Sequence, residues 1–243
     1  MPEQDIELLP SPFPFKNVES VEKLVQRLMK ENYNLIGQKK EADFKVEVYL
    51  AKDNPETITE ETLSQIQSDV IEGLRLAKAV DTRCPRDYFL KIHKKYHAFA
   101  SVEGRVGWKF VQSNPAARSA AILHETLHEL QEDYFFCWDN NTEAIPVFAE
   151  FLFTQGEGRM RFFAKSYCDF CNQENTSPYS LAWGSIRPLL HDSDEGTPKD
   201  RFMALVAQRD SMTEEEKIAL IKQSIEIAEK QESEQTPQTT IQP

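Results

Sequence analysis

The chain has 243 residues, 40% of them hydrophobic and 28% charged, which is enough for one substantial buried core and ordinary for a globular protein. No apolar run approaches the roughly 20 residues of a membrane-spanning helix. With 40 acidic against 28 basic residues the net charge is −12, which argues against a large nucleic-acid or anionic-membrane footprint and only weakly favours basic partners. The amino terminus, MPEQDIELLPSPFPFKN, lacks the basic start and apolar stretch of a secretory signal, so the four cysteines are expected as reduced thiols in a cytoplasmic protein.

Residues 1–16 carry scattered prolines and read as an extended arm. A helix is expected from Asn17 to about Leu35, with Val21, Leu24, Val25 and Leu28 on one face. Phe44, Val46, Val48 and Leu50 alternate with polar or amphipathic residues, the period of a half-buried strand. Thr57 and Glu60 form a capping-box pair ahead of a helix to about Val80, whose apolar face is Leu63, Ile66, Val70, Leu74 and Ala77.

Residues 86–112 read as β structure: Val106, Trp108 and Phe110 alternate after a Glu103-Gly104 turn, and Tyr96 to Ser101 is the candidate paired strand. From Asn114 onward the pattern is helical. Asn114-Pro115, Ser177-Pro178 and Thr197-Pro198 each place a good N-cap before a proline at the first helical position. Thr213 with Glu216 caps a last helix to about Lys230, and residues 231–243 form a polar tail expected to be disordered. The fold class expected is α+β, with a small mixed sheet and helices in the N-terminal half and a mainly helical C-terminal half. Residues 17–230 make one domain, in two parts: 17–136 and 137–230.

Two of only five histidines sit four residues apart in His124-Glu125-Thr126-Leu127-His128. On a helix this spacing puts both rings on one face, one turn apart, so that each can offer a nitrogen to the same ion. Glu125 projects beside the pair and reaches a water activated by that ion without filling a coordination position. Asn114 and Pro115 supply the helix start, residues 116–134 contain neither Gly nor Pro, and Leu123, Leu127, Leu130 and Tyr134 form an apolar stripe. Ala117, Ala120 and Ala121 leave room on the histidine side. The bland alternative is a solvated amphipathic helix with surface histidines.

An open catalytic zinc site needs a third protein ligand. A third histidine at the metalloprotease spacing is missing, because Gln131 and Tyr134 occupy the required glycine and ligand positions. Glu143 is the leading candidate: with Thr142 as N-cap it becomes the first helical residue, and Pro146 falls within the turn where proline is tolerated. Glu150, seven residues on and on the same face, is the main rival, followed by Asp133 and Asp139. Whichever carboxylate is not a ligand can orient a ligating histidine.

LHETLHEL followed by NTEAIPVFAEFL resembles the gluzincin class of zincin metallopeptidases, including its small single-domain members. The resemblance covers about residues 96–155. It implies a zincin-like fold with the histidines on an active-site helix, Zn²⁺ held by His124, His128 and Glu143, and Glu125 as catalytic base. In such enzymes the strand before that helix forms the upper rim of the cleft and pairs with extended substrate, a place taken here by Val106-Gly107-Trp108-Lys109-Phe110. A donor to the developing oxyanion is sought downstream, with Tyr179 first, then His191 and Tyr167.

Other signals are weaker. His93 and His97 share the same spacing, but on a strand four residues span about 13 Å, too far for one ion. Cys168 and Cys171 need partners such as Cys84 and Cys137 to make a structural zinc site. Thr82-Arg83-Cys84-Pro85-Arg86-Asp87 has a faint likeness to the cysteine switch of latent zinc proteases but lacks its glycine. The function expected is an intracellular zinc peptidase with peptide or protein substrates, restricted or regulatory in scope. The alternative is a non-catalytic zinc-binding or acidic helical interaction module.

Overall fold

The computed structural model describes residues 29–94, 100–101, 104–132, 143–174, 177–192 and 194–235. Residues 29–32 are helical, and the chain then enters strand β1 (Tyr33–Glu41), which returns as β2 (Phe44–Ala51) through a tight turn with Ala42 at φ 49°. The expectation of helix as far as Leu35 is therefore corrected at Tyr33, while its earlier part, like the 1–16 arm, lies outside the described residues. Pairing explains the change. Tyr33 faces Ala51, Glu41 faces Phe44, and the ladder between them holds nine residues whose own pattern is poorly alternating.

Helix α1 (Glu60–Val80) is capped by Thr59, whose side chain accepts from the Thr62 backbone N–H at 3.2 Å, and not by Thr57. Starting there puts Ile58 just ahead of the cap and Leu63 on the fourth helical residue, the two positions of a hydrophobic staple, and both pack against the core. Ile66, Val70, Leu74 and Ala77 are fully buried, as their spacing predicts.

Strands β3 (Asp87–His93), β4 (Ala100–Ser101) and β5 (Arg105–Gly107) complete a five-stranded sheet of order β1-β2-β3-β5-β4. The β2, β3 and β5 strands run parallel, and both edge pairings are antiparallel. Two expectations change here. The strand at 106–110 stops at Gly107, and Trp108–Val111 forms a single helical turn, α2. Arg118 gathers the chain at that point, its guanidinium donating to Val111 O at 3.1 Å and Ser113 O at 2.5 Å. Moreover β5 has no open edge, since β3 takes one side and β4 the other. The paired strand is present as Ala100–Ser101, residues 95–99 lying outside the described residues.

Helix α3 (Pro115–Glu132) begins as expected, with Asn114 Oδ1 accepting from the Ala117 N–H at 2.8 Å. It is followed by α4 (Ala144–Phe153), α5 (Glu157–Asn172), α6 (Pro178–Ile186), a 3₁₀ turn at Arg187–Leu189, α7 (Pro198–Ser211) and α8 (Glu214–Gln235). The Ser177, Thr197 and Thr213 caps form; Thr197 and Asp200 close a full capping box. Helix α8 runs to Gln235, past the expected end at Lys230 and into the segment read as a disordered tail, of which residues 236–243 lie outside the described residues. The molecule is thus α+β, with the sheet in its N-terminal half and helices beyond. One hydrophobic cluster runs from Phe44 through Leu123, Phe148 and Trp183 to Ile221, so both halves share a core. Among the described residues no helix is long and apolar enough to cross a membrane.

Candidate metal centre

Helix α3 is gripped from several sides. Ala117, Ala120, Ala121, Ile122, Leu123, Leu127 and Leu130 are all buried; Tyr134 lies outside the described residues. The small residues that leave space beside the histidines are themselves part of the packing, and His124 is only 3% exposed. His128, one turn on, remains partly open.

Helix α4 crosses next to α3 and starts one residue later than expected, with Glu143 at the cap position rather than the first helical residue. Thr142 lies outside the described residues, as do Asp133 and Asp139. Glu143 still meets the histidines. Its Oε2 lies 3.5 Å from His124 Nε2 and 3.4 Å from His128 Nε2, while the two nitrogens are 3.2 Å apart. Four ligands around a tetrahedral zinc with bonds of about 2.0–2.1 Å are separated by about 3.3–3.4 Å. The three donors therefore already stand on a triangle of the size that one face of such a site requires. Glu143 Oε2, one corner of that triangle, is buried and has no hydrogen-bond partner among the described residues. Among the described residues this is the one group of three or more ligand-type side chains able to hold a metal ion.

The rival carboxylate does something else. Glu150, 1% exposed, approaches His124 from the opposite side of the ring, its Oε2 3.0 Å from Nδ1 though off the line of an ideal hydrogen bond. Arg159 on α5 holds both oxygens, donating from Nε at 2.5 Å and from Nη2 at 2.7 Å. Glu150 is thus engaged behind the histidine, and Glu143 alone faces Nε2.

Electrostatics follow this arrangement. Burial disfavours charge on His124, yet Glu143 and Glu150 outweigh it and push its pKa up to about 10. Burial raises Glu143, but the two imidazoles overcome it and hold the carboxyl far below its ordinary range. Glu150 is likewise raised by burial and pulled down, by His124 and Arg159, to about 2. Glu125, half-buried beside them, moves the other way: burial raises it more than His124 and His128 lower it.

Of the three proposed oxyanion donors, the structure brings Tyr179 to this place. Its ring stacks against that of His124 with centroids 6.3 Å apart, and burial, with Glu143 next, pushes its hydroxyl up to about 12. Tyr167 is instead fully buried with its hydroxyl on Asp192 at 2.7 Å, and His191 is exposed. Cys84 is buried, its thiol donating to Leu74 O, while Cys168 and Cys171 are half-buried thiols on α5. Cys137 and His97 lie outside the described residues; His93 is on a strand, as expected.

Arg159 was not legible as part of this site. Its guanidinium lies over the rings of Phe162 and Phe163 at 4.3 and 5.2 Å. The turn that returns it depends on Gly156 at φ 106°, where a Cβ would come within 2.4 Å of the Asn114 side-chain nitrogen. That same amide donates to Gln155 O at 3.1 Å, so the cap of the histidine helix also fixes the α4–α5 turn. Comparison of the chain with protein-family models, with curated proteins and with solved structures returns no match.

Proposed function

We propose that the chain is a zinc-dependent peptidase, similar in its chemistry to the gluzincins, with His124, His128 and Glu143 as zinc ligands. The observation that carries this reading is the triangle of donors, 3.2 to 3.5 Å on a side, next to a raised glutamate. Zinc bound there would supply Lewis acidity, lowering the pKa of water to about 7 and polarising a carbonyl oxygen.

The protein's own groups then do the proton work. Glu125 takes a proton from the water that attacks the peptide carbonyl carbon, and its raised pKa makes it a better acceptor than a solvated carboxylate. As the C–N bond breaks, the same carboxyl returns that proton to the leaving amine nitrogen. Tyr179, protonated at neutral pH like any tyrosine and with its pKa pushed further up to about 12 by burial, would donate to the oxygen on which negative charge develops. The thiols at Cys84, Cys168 and Cys171 suit a reducing compartment, where such a hydrolase would act on restricted protein substrates.

Metal analysis and hydrolysis of a peptide library by the wild type, Glu125→Gln and Glu143→Gln test the proposal. One zinc per chain is expected in the wild type and Glu125→Gln, turnover in the wild type alone, and loss of zinc in Glu143→Gln. Full turnover by Glu125→Gln would overturn the mechanism. Zinc retained by an inactive wild type would leave a non-catalytic zinc module.

A further inference from the structure

Behind the donor triangle lies a chain of contacts from His124 Nδ1 to Glu150 and on to Arg159. Each member sits on a different helix: α3, α4 and α5 respectively. Glu150 is almost wholly buried, and a lone carboxylate there would either take up a proton or turn toward whatever cation is nearest. The bidentate grip of Arg159 removes both options. It fixes the plane of the carboxylate, so that one oxygen faces Nδ1 and Nε2 is left to face Glu143. The guanidinium is itself fixed, sandwiched near Phe162, Phe163 and Tyr179, the last with its ring 6.0 Å away. No lysine reproduces this fork, since an ammonium is a point charge that cannot define a plane.

We propose that Arg159 is a positioning residue of the metal centre: acting through Glu150, it holds the His124 ring in the orientation and tautomer that point Nε2 at the ion. This rests on the zinc-site reading above. A carboxylate held 3.0 Å from Nδ1 favours the tautomer protonated there, which leaves Nε2 as the ligand nitrogen, and such outer partners are typically worth about 10- to 100-fold in metal affinity. The pair also keeps Glu150 from competing with Glu143 for the ion.

The test is zinc affinity of the full chain by chelator competition, for the wild type, Arg159→Met, Arg159→Lys, Glu150→Gln and the double variant Arg159→Met/Glu150→Gln. Thermal unfolding of each reports on the fold, and nitrogen-15 spectra of the imidazoles report the His124 tautomer. Arg159→Met is expected to weaken zinc by about 10- to 100-fold and to shift the His124 signals. Arg159→Lys, the milder change if Arg159→Met folds poorly, falls between. Because Arg159 acts through Glu150, adding Arg159→Met to Glu150→Gln is expected to cost less than about threefold more. Undiminished loss in the Glu150→Gln background, or wild-type affinity in both Arg159 variants, would overturn the positioning role while leaving the zinc site standing. A wild type that binds no zinc removes the site itself, and the proposal with it.

Discussion

Gly73 in the middle of α1 lies directly against the backbone of Ser119 on the histidine helix, so close that a Cβ at position 73 would stand 2.5 Å from Ser119 O. Ile122 Cβ, one turn further along the same helix, would be 2.7 Å away. Neither neighbour is the free end of a flexible side chain, so the two helices would have to separate. Replacing a helical glycine by alanine ordinarily gains about 1 kcal/mol, whereas overpacking costs about 1–3 kcal/mol. Gly73→Ala is therefore expected to lose up to about 2 kcal/mol on balance, read as a lower urea midpoint. Gly158→Ala, where a Cβ meets nothing within 4 Å, is expected to gain up to about 1 kcal/mol. Equal effects would show that the contact with Ser119 does not set the helix separation.

Arg118 and Asp69 form a buried ion pair between α3 and α1, with Nε 2.6 Å from Oδ2 and both side chains 6% exposed. Arg118 also holds the carbonyls that close α2, so its charge is satisfied on several sides. Asp69→Ala would strand that charge and is expected to cost about 3–5 kcal/mol. Pairing it with Arg118→Met removes the stranded charge and should recover part of the loss, though the freed Val111 and Ser113 carbonyls keep the recovery incomplete. A double-mutant cycle on unfolding free energy measures both, and strictly additive losses would contradict the coupling.

What could be read from the sequence was mostly what is local. The caps at Asn114, Ser177, Thr197 and Thr213 act within three residues of themselves, and each starts its helix where expected. The His124 and His128 spacing is likewise a property of one helix, and Glu143 was reachable because Pro146 locates a helix start. Strand β1 was missed because its pairing with β2, interrupted by a register shift between Leu35 and Gly37, decides its conformation more than its own residues do. The α2 turn depends on Arg118, and the Glu150–Arg159 grip on the reversal at Gly156; the partners are only seven and nine residues apart, but each contact closes only once the chain has turned back, which periodicity and caps do not report.

Cys84 is buried against Leu74 O, and burial first, then Glu129, pushes its thiol up to about 12. A thiolate is needed both to ligate zinc and to react, so this side chain is poorly suited to the latency role that its sequence setting suggested. In the native protein at pH 8, iodoacetamide is expected to modify Cys168 and Cys171 well before Cys84. A folded pKa above the unfolded one also means stability that is full below about pH 8.5 and is lost as pH rises toward 12. Cys84→Ala should show a shallower fall in urea midpoint between pH 8 and 10 than the wild type. Early alkylation of Cys84 would show that it is open.

Tyr179 stacks on His124, so substituting it separates two roles that share one ring. Tyr179→Phe keeps the stacking surface and the packing against Phe162, whose centroid is 5.0 Å away, and removes only the hydroxyl. If that hydroxyl donates to the developing oxyanion, kcat is expected to fall by about 100- to 1000-fold, with zinc content, thermal stability and KM little changed. Tyr179→Ala also takes away the ring and with it a wall of the His124 environment, so zinc affinity should fall too. A Phe variant with wild-type kcat would make Tyr179 a packing residue of the histidine, and a Phe variant that loses zinc would place the hydroxyl in the service of the metal site. The expected pattern, turnover lost with metal and fold retained, belongs to a group whose work begins only when charge appears on the substrate oxygen.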